Sequence, residues 1–327
     1  MSEHTSLVTG ADGFVGAWLA RALLERGERV VAVDRPTAQK RGPSTLELLG
    51  ISGEVIAVRG GVGDAELLGA AIADHDVCTV FHLAAEAIVA SVHASPAGAF
   101  ETNVRGTWTV LEAARRGGVE GVVVASSDKA YGAAAELPYR EEMALRPTAP
   151  YEASKAAADL IARSYWPAYG LPVAVARCAN TYGGGDTHFS RLVPEAACAA
   201  LAGRAPVLRS DGSPLRDFLH VEDAARAYLA IADNIGSGLV RGEAFNAGGE
   251  RPHSVGEIVA TIARLASTSA VEPELLGDGV PEGEIDRQYV DASKLRAATG
   301  WRAEVELADG LRRTIEWYRA HPDVRPA

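Results

Sequence analysis

Only three of the 327 residues are cysteine (Cys78, Cys178 and Cys198). Three thiols cannot all pair, and these have no metal-ligand spacing. That excludes a disulfide framework and leaves reduced, buried thiols and no bound metal as the expectation. Aromatic residues make up 6% and methionine only two positions, so the core must be built from small aliphatic side chains. Positive charge is also scarce: 32 Lys and Arg face 43 Asp and Glu, a net charge of −11. A chain this acidic argues against nucleic-acid or anionic-membrane partners, because phosphate backbones need a basic face. No apolar run reaches the length of a membrane span. The opening MSEHTSLVTG has no basic region followed by an apolar stretch, so no signal peptide and a cytoplasmic location are expected.

What is present is a globular composition, 47% apolar and 23% charged with 34 glycines. The length suits one large α/β domain or two coupled domains. SLVTG, ERVVAVD, EVIAVRG, VCTVFHLAA, GVVVASS and LPVAVARC read as strands. They are continuous Val, Ile, Leu and Ala runs, as expected for strands covered on both faces. Amphipathic stretches at Phe14–Arg26, Pro96–Arg116 and Tyr151–Tyr169 read as the intervening helices. The alternation predicts an α/β doubly wound parallel sheet over residues 1–180, with returning segments near 217–250. Turn-rich sequence from 181 to 327 predicts a smaller C-terminal α/β lobe folded over the carboxyl ends of the strands, to which the resemblance given below assigns the substrate.

TGADGFVG follows the first strand and opens the first helix. Gly10, Gly13 and Gly16 permit a tight turn, close approach of a pyrophosphate and close helix–strand packing, and the helix start at Phe14, Val15 and Gly16 supplies amides for the anion. Asp34 ends the second strand, where a carboxylate accepts ribose hydroxyls and repels a 2′-phosphate. NAD is therefore expected rather than NADP. Arg35 beside it reads as an exposed loop residue. Tyr151 and Lys155 in YEASK stand one helical turn apart on one face. Ser127 ends the fifth strand in ASSDKAYG, and HLAA (His82, Leu83, Ala84, Ala85) ends the fourth. A doubly wound sheet brings all of these to its carboxyl edge.

With these motifs the chain resembles the extended short-chain dehydrogenase/reductases, in particular the nucleotide-sugar epimerases and dehydratases. The resemblance runs nearly end to end, through TNVRGTWTVLEAAR, RCANTYGGGD, LRDFLHVEDAA and GWRAEVELADGLRRTIEWY. It implies a Rossmann domain holding NAD and a nucleotide-diphosphate sugar as substrate. Tyr151 is implied as general base on the sugar 4-hydroxyl, Lys155 as the cation that stabilises the phenolate and holds the nicotinamide ribose, and Ser127 as a donor to the 4-oxygen. Leu83, Ala84, Ala85 and Val62 are implied to line the cofactor, and Asn103 to be structural. Asn180, Arg191, Arg216 and Arg287 are implied on the substrate side, the arginines because a planar fork meets phosphate oxygens in pairs. Glu86, Ser91 and His93 are expected near the sugar. One departure stands out. GGVGD places Gly61 where family members often carry an adenine-contacting Asp, so Asp64 or a backbone group would substitute.

The residues after Ser127 bear on the reaction. A 4,6-dehydratase needs an acid for the departing 6-hydroxyl and a base for the C5 proton. dTDP-glucose-type enzymes use Asp-Glu here, whereas this chain has Asp128-Lys129, the S-D-K triplet of CDP-glucose 4,6-dehydratases, together with GGGD and Arg191–Pro194. LRDFLHVEDAA and the compact length favour a 4-epimerase, which needs only Tyr151, Ser127 and NAD. The sequence reading leans to an NAD-dependent NDP-hexose or NDP-heptose 4-epimerase, with a CDP-glucose-type 4,6-dehydratase as the alternative. A non-catalytic dinucleotide sensor is disfavoured because Ser127, Tyr151 and Lys155 are all present. The helices Pro96–Arg116 and Tyr151–Tyr169 resemble a pair that forms a four-helix bundle across a two-fold axis, so a homodimer is expected.

Overall fold

A computed structural model describes residues 4–36, 42–266, 273–280 and 285–326. In chain order the first part runs β1 (Thr5–Thr9), α1 (Phe14–Glu25), β2 (Arg29–Asp34), α2 (Thr45–Leu48), β3 (Ile56–Arg59), α3 (Ala65–Asp74), β4 (Thr79–His82), α4 (Val89–Ala94), α5 (Pro96–Phe100), α6 (Gly106–Gly117), β5 (Gly121–Ala125), α7 (Pro150–Tyr169) and β6 (Val173–Cys178). The second part runs β7 (Asn180–Tyr182), α8 (Leu192–Leu201), β8 (Val207–Leu208), β9 (Leu215–His220), α9 (Val221–Asp233), β10 (Ala244–Ala247), β11 (Pro252–Ser254), α10 (Val255–Ala266), β12 (Glu274–Leu275), β13 (Arg287–Gln288), α11 (Ser293–Thr299) and α12 (Leu307–Ala320).

The apolar runs form one seven-stranded sheet in the order β10-β6-β5-β4-β1-β2-β3. Every pairing in it is parallel. This is the doubly wound Rossmann order with a seventh strand added at one edge. Helices α1 and α9 cover one face around Leu19, Leu23, Leu229 and Ile231. Helices α3, α6 and α7 cover the other around Leu68, Ile72, Val110, Leu111 and Ala162. Local chemistry fixes the helix ends. Asp64 caps α3 by accepting from the Leu67 amide at 3.0 Å, and Gly118 and Gly170 close α6 and α7 in the left-handed conformation.

Two expectations are refined. The predicted helix Pro96–Arg116 is divided, with a π turn over Glu101–Arg105 between α5 and α6. At this turn the Thr107 hydroxyl donates to the Asn103 carbonyl at 2.6 Å, and the Asn103 side chain is buried. The chain's return towards the large sheet begins at α9 rather than at residue 217. β9 belongs instead to a smaller four-stranded sheet with β7, β11 and β13. That sheet and the core of α8, α10 and α12 (Val193, Ile258, Ile262, Leu311, Ile315) make up the smaller lobe.

Candidate active site

The turn after β1 is built to the dimensions of its glycines. Gly10 has φ +73°, and a Cβ there would lie 2.8 Å from the Ala84 amide nitrogen. A Cβ on Gly16 would lie 2.2 Å from the Gly10 carbonyl oxygen. Gly13 precedes α1 and offers no capping side chain, so the first amides of Phe14, Val15 and Gly16 face the turn uncapped by the protein. The Asp34 carboxylate is fixed at the end of β2 by the amides of Asp12 at 2.9 Å and Arg35 at 2.8 Å. A bare backbone cradle at a helix start, followed by a held strand-end carboxylate, fits the pyrophosphate and adenosine ribose of NAD. Asp12 is itself paired with Arg59 at 2.6 Å. Val62 is buried below the start of α6, where a Cβ on Gly106 would lie 2.5 Å from it. Asp64, the candidate substitute at the adenine, is engaged as the α3 cap.

The fourth strand end is held by a hydrogen-bond chain. Thr107 gives its proton to the Asn103 carbonyl, so it accepts from His82 Nε2 at 3.1 Å. His82 Nδ1 therefore accepts from Thr9 at 2.8 Å, and the Thr9 oxygen in turn receives the Ala84 amide at 3.2 Å. Burial pushes the His82 imidazole down to about 3, so it stays neutral. Leu83 is anchored by its amide on the Thr9 carbonyl at 3.2 Å, and Ala85 follows in the same unpaired stretch. Asn103 clamps this stretch to α7. It accepts the Glu86 amide at 2.7 Å, donates to the Glu86 carbonyl at 3.1 Å and donates to Ser154 at 2.9 Å.

Tyr151, Lys155 and Ser127 are all buried at the carboxyl edge of the sheet. Pro150 and the Glu152 carboxylate, which accepts the Thr148 amide at 2.9 Å, fix the start of α7. The Tyr151 ring packs with Val92 and Ala99 under α4 and α5. Burial pushes its phenol up to about 12, while the Arg191 cation and the Ser127 hydroxyl pull the other way. Lys155 donates to the Ala125 carbonyl at 2.9 Å, and burial lowers it to about 8. One donor is thus spent on β5, which leaves two for a ligand. A positive ring bound beside the phenol would favour its ionised form.

The Ser127 hydroxyl donates to Asp128 Oδ1 at 3.0 Å and accepts the Lys129 amide at 3.2 Å. Asp128 is completely buried, and among the described residues its Oδ2 has no hydrogen-bond partner. Lys129 Nζ donates to Asn180 Oδ1 at 2.8 Å and lies 3.8 Å from Asp128 Oδ1.

The substrate-side candidates divide into three places. Asn180, Arg216 and Arg287 stand on the small sheet, with β13 and β7 on β9. Arg216 is held by the carbonyls of Leu215 and Asp286 at 3.0 and 2.9 Å, and Arg287 is exposed near the Tyr289 hydroxyl. Arg191 precedes α8 and pairs with Asp186 at 3.0 Å. Glu86 is engaged elsewhere, its carboxylate meeting Arg35 at 2.9 Å across the end of β1. Ser91 and His93 lie in α4.

Comparison with known proteins decides the family. The model of the NAD dependent epimerase/dehydratase family matches residues 6–248. The chain belongs to this family. The dTDP-glucose 4,6-dehydratase of Streptomyces griseus is 35% identical, over 98% of this chain and 95% of its own length. That of Xanthomonas campestris is 33% identical, over 96% and 93%. Among solved structures, the Streptomyces venezuelae dTDP-glucose 4,6-dehydratase with NAD bound superposes at TM-score 0.87, 31% identity and 98% coverage of both chains. The Thermotoga maritima UDP-glucose 4-epimerase with UDP-glucose superposes at TM-score 0.87 and 27% identity, over 97% and 99%. Membership makes the chain an NAD-dependent enzyme of the epimerase/dehydratase class.

Within this family site, sequence reasoning missed Arg177, Asp159 and Tyr131. Arg177 is a buried arginine in the apolar run VAVARC, and a charge in such a run was the available signal. It also missed Asp217. Burial pushes that carboxyl up to about 7, although the amides of Gly249 at 2.7 Å and Val290 at 3.4 Å pull it down.

Proposed function

We propose that the protein is an NAD-dependent nucleotide-diphosphate-hexose 4,6-dehydratase, in place of the 4-epimerase to which the sequence reading leaned. The observation that carries this is Asp128, a completely buried carboxyl group with an unpartnered oxygen beside Ser127, at the site of Tyr151. A 4-epimerase has no step for such a group, and a buried polar atom without a partner costs stability. The dehydratases among the relatives support the same reading.

Tyr151 takes the proton of the 4-hydroxyl, with Ser127 turning its hydroxyl from Asp128 to the 4-oxygen and Lys155 holding the phenolate. NAD, which the Gly10–Gly16 turn, Asp34 and Lys155 would hold, would supply the hydride acceptor for C4 and the hydride donor for C6. Asp128 and Lys129 carry out the elimination. Lys129 takes the C5 proton at Nζ while Asp128 gives a proton to the departing 6-oxygen, which leaves as water. The Lys129 ammonium then returns a proton to C5 as hydride arrives at C6, and the cycle closes when Tyr151 releases the 4-hydroxyl proton to solvent and Asp128 takes one up in place of the proton that left with the water. Asn180, Arg216 and Arg287 hold the diphosphate. We also propose a homodimer through α6 and α7.

Product analysis by NMR after incubation with dTDP-, UDP- and CDP-glucose tests the reaction. The expected product is a 4-keto-6-deoxy sugar nucleotide, with deuterium entering C5 in D2O. A C4 epimer in its place would sink the dehydratase reading. Tyr151→Phe should reduce turnover by at least about 100-fold, and Lys129→Ala should abolish deuterium entry at C5.

A further inference from the structure

Behind the active site lies a buried polar network that no step above uses. Arg177 on β6 is one of the largest fully buried side chains. Its Nε and Nη2 donate to the two oxygens of Asp159 at 2.8 and 2.9 Å, and its Nη1 donates to the Tyr131 hydroxyl at 2.7 Å. The Tyr131 hydroxyl in turn donates to Asn246 Oδ1 on β10 at 2.8 Å. The Arg177 guanidinium also lies over the Tyr131 ring, 4.8 Å from its centre. On its other side Tyr131 stacks on Tyr139 at 4.7 Å, and Tyr139 closes the turn by donating to the Gly132 carbonyl at 2.5 Å.

The placement of these residues gives the network a use. Asp159 stands one helical turn beyond Lys155 and two beyond Tyr151 on α7. Tyr131 ends the short turn Asp128–Tyr131 that begins just after Ser127. One guanidinium therefore joins the element bearing the C4 chemistry to the element bearing the C5 and C6 chemistry. Both ends are rigid, because every hydrogen-bonding group of the bracket is buried and spoken for. A buried ion pair of this kind contributes little net stability compared with apolar packing. Fixed geometry is what it supplies, and small displacements of reacting groups are costly to rate.

We propose that the Asp159–Arg177–Tyr131 bracket sets the separation between Tyr151 and the Asp128–Lys129 pair, so that Arg177 and Tyr131 are positioning residues for the elimination step. This rests on the dehydratase reading. Proton removal at the 4-hydroxyl rests chiefly on Tyr151 and Lys155, which have anchors outside the bracket in the Glu152-held start of α7 and the Ala125 carbonyl.

The test is Tyr131→Phe, which removes one hydroxyl and keeps the ring stack. Transient kinetics with the hexose nucleotide that the wild-type enzyme dehydrates would follow reduced-nicotinamide absorbance, deuterium entry at C5 and final product. The expected result is a fall of about 10- to 100-fold in deuterium entry and product formation. KM and the rate of C4 oxidation should be unchanged, so that reduced nicotinamide accumulates. Asp159→Asn, which loosens the same bracket from the other end, should shift the same ratio. Ile262→Val, a core truncation in α10, controls for stability and should lower Tm without moving the ratio. If Tyr131→Phe slows oxidation and elimination in parallel, or changes neither, the positioning role is overturned. If the wild type itself yields no 4-keto-6-deoxy product, the dehydratase reading fails, and that outcome is read before any variant is made.

Discussion

At the scale of single residues, burial decides which protonation states the site can use. His82 is the clearest case. It is buried between Thr9 and Thr107 with each ring nitrogen committed, one as acceptor and one as donor. A second proton would have to displace the Thr9 donor, and burial adds to that cost. Its folded value near 3 lies below the ordinary histidine value near 6.5. A depressed folded value means the unfolded chain binds more protons below pH 6.5. The stability contributed by neutral His82 is therefore complete above that pH and is lost as pH falls towards 3. Urea denaturation should show the wild type losing about 2 kcal/mol between pH 6.5 and 5 relative to His82→Gln. Equal slopes for the two proteins would show that the imidazole is protonated in the folded state.

At the scale of elements, the junction between β1 and α1 leaves no room for a side chain at Gly10 or Gly16. Gly16→Ala drives a methyl group into the Gly10 carbonyl, and neither backbone can retreat. The expected cost is about 1–3 kcal/mol of stability, measured by thermal denaturation, with loss of NAD from the purified protein. This junction was legible in the sequence because its demands are local: strand, glycines and helix start lie within a dozen residues. The same holds for Tyr151 and Lys155, which one helical turn brings to one face. What could not be read was whatever depends on pairing across the fold. The small sheet is made of strands too short to carry a pattern, down to Arg287–Gln288. The π turn at Glu101–Arg105 leaves no mark in hydrophobic periodicity. The ion pair between Glu86 and Arg35, which comes from a different strand end, is another contact that no local pattern announces. Arg177, Asp159 and Tyr131 each look ordinary in sequence, and only the packing of α7 on β6 makes them one unit.

At the scale of the whole molecule, the excess of acid leaves few cations to meet an anionic substrate, and the structure gathers Arg216 and Arg287 on adjoining strands. A field of the wrong sign slows encounter with an anion, and under the proposed function binding rests on these local donors. The surface also carries exposed Phe100, Trp108 and Leu160 on α5, α6 and α7, the helices assigned to the dimer. Light scattering at micromolar concentration should give twice the 34.2 kDa chain mass, and Leu160→Glu with Trp108→Glu should shift it to the monomer. A monomeric wild type would rule out the assignment. The large sheet holds a further consequence. Its edge strand β10 joins β6 only after the chain has travelled through β7, α8 and β9, and α9 comes from the same late stretch to cover α1. On the ribosome, the first 180 residues therefore emerge with one edge unpaired and one apolar helix face bare. The nucleotide-binding half therefore cannot complete its sheet until residue 247 is clear of the exit tunnel, by which point the first strands of the smaller lobe have already been made.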